Sequence, residues 1–215
     1  MTKFHPSNSM LKDYVCGLLS PGKDLMIKTH LTFCPECRKE VARIEDIAGV
    51  LLNNSSNNNI SEKPCINKTL EKIACLEKDN NINQESLSVN GGILPRVINN
   101  YIGKTSDEIN WRFRLPGIYD FQIENSNDEN LYLLKVEPGA KILQHTHEGE
   151  ESTVILKGKM KDGDNTFLPG DISILDENDT HNPQIIGSEA CICLVVMAGK
   201  VKFTGKFTRA LNIFS

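Results

Sequence analysis

The stretch His30-Leu-Thr-Phe-Cys34-Pro-Glu-Cys37 puts an imidazole and two thiols within eight residues. Nitrogen and sulfur donors of this kind suit a tetrahedral zinc ion. Pro35 cannot lie inside a helix, and it pushes Cys34 away from the α region. The spacing therefore predicts a helix carrying His30 and ending near Phe33, a corner at Cys34, and a new helix opening at Pro35. Cys37 then falls in a first turn, where the positive end of the helix favours a thiolate. A closed structural site needs a fourth ligand, and the chain offers His5 near its N-terminus. A Cys-x-x-Cys pair can also be a redox dithiol, but the βαβ surroundings of a thioredoxin-like site are missing. Two unrelated buried thiols are the remaining reading.

A second group lies late in the chain. His145 and His147 are two apart, so on a strand both point to one face. Glu151 adds a carboxylate from the hairpin side. His181 comes after Leu168-Pro169-Gly170-Asp171 and a strand, placed to close the site from a facing strand. Three imidazoles and a carboxylate make a site for Zn, Fe, Mn, Ni or Cu, and the donors alone do not choose. The bland alternative is a set of surface histidines on a barrel rim.

The elements that must position these groups change character along the chain. The first third reads helical. Leu11, Tyr14, Val15 and Leu18 form one apolar stripe, ended by Ser20-Pro21-Gly22. A helix from about Gly22 to Phe33 follows. After Pro35, the residues Val41, Ile44, Ile47, Ala48 and Leu51 recur at three- and four-residue steps. The run Asn53–Asn59 reads as a loop, and a fourth helix is expected from about Pro64 to Lys78. Such short helices have little core of their own, and a structural metal is the usual remedy. Four apolar stripes also exceed what one small bundle hides, which points to a partner groove. A polar, Asn-rich stretch closing in Gly91-Gly92 marks a boundary. Beyond it come β-type segments at Leu131–Val136, Ser152–Leu156, Asp171–Leu175 and Cys191–Met197, separated by Gly-containing turns. Such spacing implies an antiparallel barrel or jelly roll. The expected fold class is α+β in several domains: a helical metal-binding domain over 1–78, a linker over 79–95 and an all-β barrel over 96–215. The linker composition predicts a flexible tether. Cys16, Cys65 and Cys75 read as core thiols, and Cys191 and Cys193 as facing the same way on one strand.

Composition narrows the function. No run of about 18 apolar residues exists, so no membrane span is expected. The N-terminus lacks the apolar core of a signal peptide, which predicts a cytoplasmic protein whose seven cysteines are thiols and metal ligands. Net charge is −4, with 11 basic against 9 acidic residues up to residue 78 and 13 against 19 beyond it. Neither part has the dense basic patch that binding nucleic-acid phosphates needs.

The pattern Gly139…His145-Thr-His147…Glu151…Gly158 resembles the first cupin motif, and Pro169-Gly170-Asp171…His181 the second. The second departs from the usual form, since Asp176 and Asn178 stand where Pro and Gly are common; Asn tolerates the turn conformation that Gly would supply. The whole chain resembles the ChrR family of zinc-dependent anti-sigma factors, which join an N-terminal zinc domain to a C-terminal cupin. His5 with His30-x3-Cys34-x2-Cys37 fits that family's four-ligand zinc motif, and Cys191-Ile-Cys193…Lys202-Phe-Thr-Gly205 resembles the end of its cupin. The resemblance implies zinc at His5, His30, Cys34 and Cys37, and zinc or another divalent transition metal at His145, His147, Glu151 and His181. It implies an extracytoplasmic-function sigma factor as partner, with no direct DNA contact. It also implies release of that partner under singlet oxygen or organic peroxide. The competing reading is a metal-dependent cupin enzyme of dioxygenase type, with the N-terminal domain as a docking module. A DNA-binding repressor lacks a basic recognition helix.

Overall fold

The computed structural model describes residues 2–55, 93–125 and 129–204. Helix α1 spans Asn8–Val15, α2 Pro21–Phe33, α3 Pro35–Ser55 and α4 Arg96–Ile102. The first two helices are capped by Ser7 and Ser20, whose hydroxyls accept amides of the first turn. Pro21 and Pro35 each open a helix, and Cys34 between α2 and α3 is extended at φ −108°, ψ 101°. The expected corner is present. Leu18 does not join the α1 stripe. Gly17 at φ +66° ends the helix with Leu18 N–H on Asp13 O and Gly17 N–H on Tyr14 O, and Leu18 is left 73% exposed. The expected Pro64–Lys78 helix and most of the 79–95 linker lie outside the described residues. Helix α4 was not expected; its Ile98 is fully buried.

Among the described residues the β part has eleven strands. A six-stranded sheet runs in the order β1(Arg112–Leu115), β2(Ile118–Asn125), β3(Asn130–Val136), β10(Cys191–Met197), β5(Glu151–Lys157), β8(Ile172–Leu175). Facing it are β7(Asn165–Phe167), β6(Met160–Asp162) and β9(Gln184–Ile185), with β11(Val201–Phe203) paired to β4(His145–His147). Single bridges at Lys141–Gln184 and His145–His181 stitch the smaller pieces together. The four strands expected from sequence match β3, β5, β8 and β10 to within a residue or two at each end.

Strand β10 explains the layering. All seven of its residues are buried, the continuous apolar run of a strand covered on both faces. Cys191, Cys193, Val195 and Met197 point into the barrel beside Met160 and Phe167. Ile192, Leu194 and Val196 point the other way, into one cluster with Leu11, Leu25, Met26 and Ile27 of the helices and Leu131, Leu133 and Val154 of the sheet. The N-terminal helices thus roof the outer face of the sheet. Lys23 pairs with Glu150 at 2.8 Å, and the Gly22 amide donates to Glu129 at 2.8 Å along the same seam.

Candidate metal centres

The sequence order of α2, corner and α3 brings His30, Cys34 and Cys37 to one point, and residues 2–6 carry His5 to it. One donor atom from each of the four lies within 4.8 Å of the others. The His5 Nδ1 stands 3.4 Å from the sulfur of Cys34 and 3.4 Å from that of Cys37. Ligands bound tetrahedrally at about 2.3 Å for sulfur and 2.1 Å for nitrogen are separated by about 3.5 Å. The spacing fits that edge. His30 donates Nδ1–H to Gly170 O at 2.6 Å, which leaves a lone pair on Nε2; that atom is buried and has no hydrogen-bond partner. Such an orphan is costly unless an ion takes the lone pair. Burial holds the His30 imidazole below its usual range, hence neutral and able to ligate. The thiols diverge. Burial and the neighbouring Cys34 push Cys37 up to about 12, whereas Cys34, despite burial, is pulled down by hydrogen bonds from Thr2 and Cys37. Cys34 is thus the easier of the two thiols to ionise, and a dication would favour the thiolate at both.

The second group sits inside the barrel. Strand β4 aims both His145 and His147 inward, and the bridge to His181 completes a triad whose donor atoms lie within 4.8 Å. Glu151 opens β5 and brings Oε2 to 3.0 Å from His147 Nε2. His145 Nδ1 donates to Leu143 O and His181 Nδ1 to Asp162 Oδ2, each at 2.7 Å. Both Nε2 atoms then carry lone pairs, yet they face each other at 2.9 Å. Two acceptors at that distance repel, whereas ligands at right angles around a shared ion stand about 3 Å apart. Burial and the facing His181 push His145 down to about 4, so it is neutral at physiological pH. Burial alone would raise the Glu151 carboxyl, but His147 and the other imidazoles hold it below the usual range, as an anion.

All eight residues singled out in the sequence are therefore placed in two clusters. Asp162 was not singled out, and Gly170 and Asp171 were read only as part of the second barrel motif. Asp162 precedes Gly163 and reads as half of a turn signal, while its carboxylate orients His181. The turn after β8 lacks the usual Pro and Gly, and side chains close it instead: the Asp176 amide donates to Asp179 at 2.9 Å and the Asn178 amide to Asp176 at 2.7 Å. Cys16 is exposed at the end of α1 rather than in the core, because its helix stops there. Cys65 and Cys75 lie outside the described residues.

A helical roof with a His/Cys centre, set on a jelly-roll barrel with a His/Glu centre, defines a cupin protein built around two candidate metal sites. Residues 102–201 match the family described as the ChrR cupin-like domain. That match spans the barrel, which is a ChrR cupin-like domain. The chain is 24% identical over 212 residues to anti-sigma-E factor ChrR of Cereibacter sphaeroides, covering 99% of this chain and 97% of that one. It is also similar to ChrR in the crystal structure of Rhodobacter sphaeroides SigE bound to that anti-sigma factor. There the identity is 25%, the TM-score 0.74, and the match covers 92% of this chain and 99% of the other.

Proposed function

We propose that this chain is an anti-sigma factor that sequesters an extracytoplasmic-function sigma factor, a regulator of transcription rather than an enzyme. The observation that carries the reading is the end-to-end similarity to a ChrR protein captured with its sigma factor. The chemistry of the helices agrees. Ile47, Val50 and Leu51 on the second half of α3 are 48%, 59% and 64% exposed, an apolar stripe of the sort a helix-binding partner covers. Among the described residues no helix is long and apolar enough to cross a membrane. A cytoplasmic site of action follows from the partner, since sigma factors work on RNA polymerase there.

His5, His30, Cys34 and Cys37 would hold zinc, which the two-sulfur, two-nitrogen donor set favours. The ion would fix the angle between helices too short to fix it themselves. His145, His147, Glu151 and His181 would hold zinc or another divalent transition metal. This second centre opens into a barrel cavity of about 910 Å³ walled by Tyr132, Leu134, Val195 and Phe203. That position suits a receiver for singlet oxygen or an organic peroxide, whose arrival would release the sigma factor. Within this division of labour Glu151 supplies the anionic donor, Asp162 holds the His181 ring, and the apolar wall keeps bulk water away.

The test is co-purification with a small sigma factor encoded beside this chain, followed by a sigma-dependent reporter in cells exposed to singlet oxygen or an organic peroxide. Stable capture with low basal reporter activity and induction by the oxidant is the expected result. Failure to retain any sigma factor overturns the reading.

A further inference from the structure

The cluster formed by His5, His30, Cys34 and Cys37 is not self-contained. We infer that the Gly170-Asp171 turn of the barrel positions the ligands of the helical metal centre and thereby couples that centre to the cupin. Asp171 is fully buried, and its two oxygens do different things. Oδ2 accepts the Leu168 amide at 2.8 Å and closes the turn. Oδ1 accepts the amides of Lys3 and Phe4 at 2.6 and 3.0 Å, the two residues just before His5. Phe4 is held twice more. Its carbonyl accepts Ile172 N–H at 3.2 Å, and its ring lies 4.5 Å from that of Phe167. The strap that delivers His5 is thus fastened to the barrel through Lys3 and Phe4, while Thr2 beside them hydrogen-bonds Cys34.

Gly170 acts on the other side of the same centre. Its carbonyl takes the Nδ1–H of His30 and so aims Nε2 at the sulfurs. Its φ of +92° favours glycine, and a Cβ there would meet Phe33 Cβ at 2.4 Å and Thr2 Cγ2 at 2.6 Å. Phe33 is the last residue of α2, next to Cys34. One two-residue turn therefore sets the His5 strap, the His30 ring and the end of α2.

The turn also belongs to the barrel site. Gly170 N–H donates to Ile155 O at 2.8 Å, and Ile155 N–H to Asp171 O at 3.1 Å, which ties the turn to β5. Strand β5 begins at Glu151, and Glu151 is paired in register with Leu175 at the far end of β8, the strand that the turn opens. Any shift of β5 that follows a change at Glu151 reaches the hydrogen bonds of His5 and His30 through one strand pair. Coupling of this kind is reciprocal between the bound ions: whatever factor an ion in the barrel centre applies to the affinity of the helical centre, an ion in the helical centre applies to the barrel. This gives the regulatory reading a route by which the barrel speaks to the sigma-binding helices, and it rests on both clusters being metal centres.

The test uses the full chain. Metal analysis comes first, and two ions per chain are expected. Cobalt(II) is then exchanged in, because thiolate-to-cobalt absorption arises only at the sulfur-containing centre, and its decay in excess chelator is followed. Asp171→Asn and Phe4→Ala each speed that decay by about 10-fold or more, the usual scale for losing the groups that orient ligands. Loss from the barrel centre stays within about two-fold, and Phe4→Leu restores most of the wild-type rate. The barrel-emptying pair His145→Ala with His147→Ala also changes the thiolate-centre rate by several-fold. Fewer than two ions per chain refutes the two-centre reading beneath the inference. Two ions with wild-type decay in both variants refutes the coupling, and so does equal acceleration at both centres, which is what general loosening would produce.

Discussion

The helical centre and the barrel centre each gather four donors, but they hold them by opposite means. In the barrel, His145 and His147 share one strand, Glu151 opens a second and His181 is bridged to the first. Backbone ladders fix them, and the polar neighbours Leu143 O and Asp162 fix the rings. In the helical centre a proline corner fixes two thiols, one imidazole comes from the preceding helix, and the last donor arrives on a strap fastened to the barrel. A ladder keeps its shape without the ion, whereas a strap and a corner need it. The centre that would depend on a metal is the one with oxidisable sulfur, on the helices that carry the exposed apolar stripe of α3. The centre with the preformed cage lies under the cavity. That division would suit the proposed arrangement, in which the barrel senses and the helices act.

The sharpest way to break the comparison is to remove sulfur. Cys37→Ser should reduce the metal content from two ions per chain to one and weaken sigma-factor capture by at least about 100-fold. Structural zinc contributes on the order of 10 kcal/mol or more to small helical domains, so little mutual orientation would survive its loss. Tight capture by a metal-free Cys34→Ser, Cys37→Ser protein would show that the helices need no ion.

Emptying the other cage should have a different outcome. With His145→Ala and His147→Ala together, the barrel ion is lost and the thiolate centre keeps its own, at the altered exchange rate argued above. Sigma capture persists, and induction by singlet oxygen or organic peroxide disappears. The readouts are metal content of the full chain and the sigma-dependent reporter. Normal induction in that variant would make the barrel ion a bystander.

A smaller change tests whether the cage is as preformed as its ladder implies. Asp162→Asn keeps the shape but removes the charge that orients His181. It should lower barrel metal affinity by about 10- to 100-fold in competition with a chromophoric chelator. Affinity equal to wild type would show that the strand bridge alone sets the ring.

The two centres also differ in how much of them a sequence reveals. Ligand types at short spacing were legible in both, because Pro35 dictates the corner and a two-residue step dictates a shared face. The core strands were legible too, since β10 is an unbroken apolar run. What escaped were contacts made between distant segments. Nothing local marks Asp171 as the acceptor for Lys3 and Phe4, 168 and 167 residues away. Nor does the apolar stripe of α2 announce that it roofs a sheet; sequence alone predicted a helical domain on a flexible tether. Strands such as β4, β6 and β9 are two or three residues long, too short for alternation to register.

The smallest expected effect concerns how the barrel wall holds its form without any ion. Asp120 on β2 is 6% exposed and accepts from Arg112 Nε at 2.9 Å, Arg112 Nη2 at 3.0 Å and Arg114 Nε at 2.7 Å. Burial by itself would raise its pKa, but the two guanidiniums outweigh burial and hold the carboxyl below its usual range. A carboxyl whose folded pKa is depressed stabilises the fold above its unfolded value of about 3.9 and loses that contribution as pH falls through the folded value. Both arginine side chains are 52% exposed, so water screens the pair and Asp120→Asn should cost only about 1 kcal/mol at neutral pH. The gap between wild type and variant, measured as the difference in urea midpoint, should hold from pH 7 to about pH 4 and close below it. A gap that stays constant into strong acid would mean that shape and hydrogen bonding, rather than charge, set the contribution of Asp120. The barrel would then owe its preformed cage to the strand ladders alone.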